Sequence, residues 1–175
     1  VILSCGAWLG QTLEPLGFEV DVRPQKGQLR DYFFEGMDTA KLPVLMPEGE
    51  LDVIPFAGGK ISVGASHEND QGFDLTVDET VLASLEEEAR TYFPDLSTAK
   101  SFSERVGTRA YTSDFSPFFG EVPELEGVFV ASGLGSSGLT TGPLIGKNLV
   151  ELAMNRPGSL DSSDYPVSQY VKKKD

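Results

Sequence analysis

Apolar and polar positions along the chain form short apolar runs, alternating stretches and one long helical period. Val1-Ile2-Leu3 opens as a buried strand, and a short amphipathic run from Leu9 to Leu16 follows, ended by Gly17. Phe18 to Arg23 alternates apolar and polar, the period of a half-buried strand, with Pro24 closing it. Strands are predicted again over 42–46, 51–56 and 60–65, and Gly58-Gly59 between the last two signals a two-residue hairpin. Val81, Leu82, Leu85, Ala89 and Tyr92-Phe93 recur at helical spacing behind a Thr76 and Glu79 capping box, and Pro94 ends that helix. An extended run covers 102–111, and 114–120 is a turn-rich loop. Residues 127–132 then read as a second buried strand, a glycine-rich turn follows, and an apolar helix runs to Met154, with no apolar strand expected beyond it.

This order predicts an α+β fold in two layers. Residues 1–22 and 112–175 form one, with a strand, turn and helix; residues 23–111 form the other, a mixed, largely antiparallel sheet with one helix. The 175 residues carry 27 acidic against 14 basic side chains, a net charge of −13 that repels nucleic acid and anionic membrane surfaces. The one basic run, Lys172-Lys173-Lys174, reads as a frayed end, and Glu86-Glu87-Glu88 as a solvated helix face rather than a metal site. No run is apolar enough for a membrane helix and the start has no secretory pattern, so a cytoplasmic setting is expected. Cys5 is the single cysteine, in keeping with a reducing compartment and a small buried side chain. An opening strand without an initiator methionine makes the chain read as cut from something longer.

The candidate chemistry lies in the turn before the last helix. Gly133, Gly135 and Gly138 have the G-x-G-x-x-G spacing that permits a tight turn, a close ligand and close helix packing. A dinucleotide site would also need a further parallel strand and an acidic ribose ligand about 20 residues on, and neither is evident. What remains is a helix N-terminus whose N–H groups suit some other electron-rich group. A turn of this kind without any ligand is an open alternative on these residues alone. Hydrolase chemistry is disfavoured, because Gly135-Ser136-Ser137-Gly138 lacks the G-x-S-x-G elbow and the only histidine is far upstream.

Five segments in order carry a resemblance. They are Ser4 to Trp8, Arg23 to Gln28, Ile54-Pro55 with Gly58 to Ala65, Gly107 to Asp114 with Pro117 and Gly120, and Phe129 to Pro143. Together they make the chain similar to the C-terminal half of FAD-dependent oxidoreductases of the D-amino-acid oxidase superfamily, in particular the glycine oxidase and D-amino-acid dehydrogenase group. The resemblance implies FAD as cofactor, with Gly133, Gly135, Ser136, Ser137, Gly138 and Leu139 facing the flavin ring and Gly6, Ala7 and Trp8 lining it from the first strand. It implies that Arg109 clamps the carboxylate of an amino-acid or amine substrate. The chain departs from that pattern in having Asp52 where such enzymes have an aromatic residue and Ser136 where some have a second arginine, so the substrate need not be glycine; Asp52 and His67 are candidate substrate contacts, and Arg105 reads as structural. Read without the resemblance, Arg109 could equally be a strand arginine paired with Glu104 or Asp114, and a lone strand-end histidine such as His67 is usually structural. The implied reaction is hydride transfer from the substrate to flavin, giving an imine, with no catalytic side chain and no metal. The ADP-binding half would precede this chain, which alone should be inactive, and the electron acceptor could be oxygen or a membrane quinone. The rival reading is a non-catalytic α+β domain for ligand binding or subunit assembly, without flavin.

Overall fold

The computed structural model describes residues 1–174. In chain order the elements are β1 (Ile2–Leu3), α1 (Leu9–Leu13), β2 (Phe18–Val20), β3 (Arg23–Phe33), β4 (Asp52–Phe56), β5 (Lys60–Gly64), α2 (Glu79–Tyr92), β6 (Lys100–Tyr111), β7 (Phe118–Glu121), β8 (Phe129–Ser132), α3 (Gly138–Ala153), α4 (Val167–Tyr170) and β9 (Val171–Lys173). The fold is α+β, as the sequence predicts, and divides into two compact units, Val1–Gln25 with Arg109–Asp175 and Lys26–Thr108.

The first unit is built on a three-stranded sheet in the order β1-β8-β7, parallel between β1 and β8 and antiparallel between β7 and β8. Side chains alternate across a strand, so this sheet buries two different faces. Phe118 and Val130 point into a core with Leu9, Leu13, Phe18, Tyr170 and Val171. Phe119, their neighbour, joins Ile145 and Leu149 of α3 on the other side. Phe118 stacks on Tyr170 with ring centroids 4.8 Å apart.

The chain end corrects the expectation of a frayed basic tail and of no strand after Met154. β9 pairs antiparallel with β2 in the register Phe18↔Lys173 and Val20↔Val171. The lysines serve the ribbon: the Lys173 ammonium lies 4.5 Å from the Phe18 ring centroid, and Lys174 pairs with Glu14 at 3.2 Å. Cys5 is half-buried against the first core rather than fully enclosed.

The second unit is a four-stranded sheet in the order β4-β5-β3-β6. β4 and β5 form the hairpin expected at Gly58-Gly59, in the register Asp52↔Gly64 and Phe56↔Lys60. Leu85 and Ala89 of α2 and Leu96 pack on Tyr32, Phe34, Val53, Ile61 and Val63.

Four expectations need correction here. β3, with its eleven residues, was invisible to pattern reading, because its buried positions include Lys26, Gln28 and Asp31. Gln28, fully buried, satisfies itself by donating to Glu68 at 2.7 Å and accepting from the Asp78 N–H at 2.7 Å. The strand expected at 42–46 is absent apart from a single bridge between Leu45 and Val53, since Pro43 cannot donate to a ladder. α2 is capped by Asp78, which accepts from the N–H groups of Thr80 and Val81, while Thr76 donates its hydroxyl to Asp74. Glu86 is not part of a solvated face; it accepts from Tyr32 and Arg90 and lies 3.6 Å from Arg30.

Candidate cofactor and substrate site

β1 and β8 are adjacent, parallel, and followed by the same local structure. After β1, Gly6 has φ +54° and Gly6–Trp8 makes a 3-10 turn leading into α1. After β8, Gly135 has φ +53° and Gly135–Ser137 makes a 3-10 turn leading into α3. The residues before the helices match as well, Trp8 at φ −85°, ψ 2° and Ser137 at φ −87°, ψ 1°. Each turn is closed by a 3.0 Å bond, Trp8 N–H to the Cys5 carbonyl and Ser137 N–H to the Leu134 carbonyl. In each the threonine four residues on donates back at 3.0 Å, Thr12 to Trp8 and Thr141 to Ser137. The Ser132 hydroxyl ties the two together by donating to the Gly6 carbonyl at 3.0 Å. Two strand-turn-helix units side by side present their turns at the carboxyl end of the sheet, where open α/β sheets hold ligands.

The residues at this end fit a flat, largely apolar ring system that carries acceptor atoms, the character of a flavin. No side chain caps α3, so its first-turn N–H groups remain donors at the positive end of a sixteen-residue helix. Leu139 is 96% and Trp8 45% exposed, large apolar surface at the two turns. The side chains of Ser136 and Ser137 are exposed, whereas that of Ala7 is buried, leaving Ala7 only its backbone to offer. The turn is narrow: a Cβ on Gly133 would stand 2.8 Å from the Ser116 carbonyl, and one on Gly135 would stand 2.7 Å from Cζ of Tyr111.

Arg109 lies in β6, half-buried, in the same unit as both turns. Glu104 pairs with Arg30 at 3.2 Å, and Asp114 accepts from Thr112, Ser116 and Tyr170. Arg105 is structural, donating to both oxygens of Asp31 at 2.8 and 2.9 Å. Burial works to raise the Asp31 pKa, but the bonds from Arg105, Ser62 and Ser103 outweigh it and hold the carboxyl below its ordinary range. Asp52 and His67 belong to the other unit, Asp52 in register with Gly64 at the start of β4 and His67 three residues past the end of β5. His67 Nδ1 is 3.5 Å from Glu50.

Two residues escaped the sequence reading. Tyr111 covers Gly135 and reaches the Ser136 hydroxyl at 3.5 Å, and Phe115 meets Tyr111 edge-on with centroids 5.4 Å apart. Tyr111 sits two positions past Arg109, a spacing that puts both on one face of a strand, and this signal was available. Among the described residues no cluster of His, Cys, Asp or Glu could hold a metal ion, and no helix is long and apolar enough to cross a membrane.

Comparison with known proteins identifies the family. The family model described as FAD dependent oxidoreductase matches residues 1–152. An uncharacterised oxidoreductase of Bacillus subtilis, YurR, is 39% identical over 166 residues, which cover 94% of this chain and 45% of that protein. A glycine oxidase of Pseudomonas aeruginosa is 30% identical over 165 residues, 94% of this chain and 44% of that one. The crystal structure of an iminodiacetate oxidase from Chelativorans superposes with a TM-score of 0.91 at 33% identity, over 95% of this chain and 45% of the other. The chain thus spans less than half the length of these relatives.

Proposed function

Because the chain belongs to the family of FAD-dependent oxidoreductases, we propose that the whole protein oxidises an amino acid or secondary amine to an imine that water then hydrolyses. The observation that carries this reading is the pair of matched turns on adjacent parallel strands, one of them opening an uncapped helix. We assign residues 1–22 and 112–175 to the C-terminal part of the cofactor domain and 23–111 to the substrate domain. FAD, when bound, supplies the acceptor for the hydride that leaves the substrate carbon.

The chain's own residues do the rest. Backbone N–H groups of Gly135, Ser136, Gly138 and Leu139 hold acceptor atoms at the positive end of α3, which stabilises negative charge arriving there, while that of Ser137 closes the turn. Trp8 and Leu139 cover apolar ring surface and exclude water from it. Arg109 binds the substrate carboxylate, because a planar guanidinium fork meets two oxygens at once and so fixes the carbon beside them. Asp52 and His67 are assigned as further substrate contacts. The relatives named for glycine and iminodiacetate oxidation have in common a small amine bearing a carboxylate, which supports the same class here.

No side chain is assigned as a proton acceptor, so the amine must arrive neutral. The kcat/KM of the full-length enzyme is expected to rise with pH through the substrate amine's own pKa and then level. A profile bending instead near the histidine range would place a protein base in the reaction. The primary test is the visible spectrum of the full-length gene product under anaerobic titration with glycine, sarcosine, proline and D-amino acids. Flavin bands that bleach with a member of this panel support the reading, and Arg109→Gln should lower kcat/KM about 100-fold or more. A colourless, folded product that takes up no FAD overturns it.

A further inference from the structure

We infer that the substrate carries a second carboxylate and that the hydroxyls of Tyr111 and Ser136 hold it. This rests on the proposed role of Arg109 as clamp for the first carboxylate.

Tyr111 follows Arg109 by two positions in β6, so the strand period sends both side chains to one face, about 7 Å apart at their Cβ atoms. Its ring is anchored there by the absence of a side chain on Gly135, where a Cβ would stand 3.0 Å from the tyrosine oxygen. The hydroxyl is therefore delivered to the turn after β8, beside that of Ser136. The 3.5 Å between the two oxygens is the outer limit of a hydrogen bond. Both protons can turn to a better acceptor, and two donors side by side match the two oxygens of a carboxylate.

Charged groups of both signs lie at this end of β6. The Arg23 guanidinium stands 5.5 Å from the centroid of Phe115, whose edge meets Tyr111. The nearby carboxylates are engaged elsewhere, Asp114 by Thr112, Ser116, Gln169 and Tyr170, and Asp21 by Ser113. Phe115 adopts φ +63°, in the left-handed region uncommon for a non-glycine residue, within the loop that the Asp114 bonds fix.

The test uses two unreactive ethers on the full-length protein with FAD bound. Methoxyacetate offers one carboxylate and oxydiacetate two, and calorimetry gives the Kd of each. Wild type should bind oxydiacetate at least tenfold more tightly. Tyr111→Phe, which keeps the ring on Gly135, should lose about tenfold for oxydiacetate, the size of one hydrogen bond to a charged group, while methoxyacetate stays within twofold. Ser136→Ala should act in the same direction. In turnover, Tyr111→Phe should raise KM for N-carboxymethylglycine with little change for sarcosine, a split that general loosening of the fold would not produce. Equal Kd values for the two ethers in wild type, or equal losses for both in Tyr111→Phe, overturn the inference and leave the Arg109 reading standing. Failure of methoxyacetate to bind wild type, or its indifference to Arg109→Gln, overturns both.

Discussion

Tyr111 and Gly135 occupy one another's space: the ring lies where a side chain at 135 would go, and the backbone there has φ +53°, a conformation that only glycine adopts without cost. Gly135→Ala is expected to destabilise the full-length protein by about 2–3 kcal/mol, part from the positive φ and part from the ring. Adding Tyr111→Ala should recover the steric part alone, which denaturant unfolding of the single and double variants will measure. Asp31 is a second residue whose surroundings decide its behaviour. It is buried, accepts from Ser62 and Ser103, and is paired with Arg105. Asp31→Ala should cost about 2 kcal/mol, discounted because Arg105 is itself half-exposed and can return to water. Arg109 and Tyr111 stood in plain view in the sequence. The partnership of Tyr111 with Gly135 did not, because it joins residues 24 positions apart through a ring contact that no local pattern encodes.

At the level of elements, the β4-β5 hairpin and α2 were legible because glycine pairs and helical periodicity act locally. β3 was not, because its buried positions Lys26, Gln28 and Asp31 are polar and break the apolar alternation. Its interior is written in the residues it meets: Gln28 takes Glu68 and the Asp78 N–H, and Lys26 takes Asp74 at 3.6 Å. The start of α2 separates two readings that look alike in the sequence. Asp78→Ala should cost about 1 kcal/mol through loss of the cap, whereas Thr76→Ala should change stability by less than about 0.5 kcal/mol. Thermal unfolding of the two variants side by side will check this, and a larger loss at Thr76 would restore the capping box. β9 was hidden for a related reason, since its three residues end in lysines that look solvated until Phe18 and Glu14 are placed beneath them.

For the whole molecule, a net charge of −13 and several partnered carboxylates link stability to pH. Asp31 in one unit and Asp114, Glu151 and Asp161 in the other are held below their ordinary range. For Asp31 and Glu151, burial opposes the shift but is outweighed by bonds from Arg105 and from Lys147; for Asp114 and Asp161, the N–H groups of Ser116 and Ser163 lead. A carboxylate whose pKa falls on folding binds fewer protons when folded. Its contribution is complete above the ordinary values of 3.8 for Asp and 4.5 for Glu and is lost as pH falls through the lower folded values. The denaturation midpoint should therefore be flat from pH 7 to about pH 5 and drop below pH 4, with a shallower drop in Asp31→Asn. By itself the sequence determined the α+β class, the hairpin, both main helices and the glycine turn, since each rests on contacts a few residues apart, and its motifs in order pointed to the flavoenzyme family. Only the tertiary structure decided that β1 lies beside β8 with their turns matched, that polar β3 is a central strand, and that Tyr111 closes over Gly135. Each of these joins distant segments, and a side chain's surroundings there, rather than its own type, set what it does.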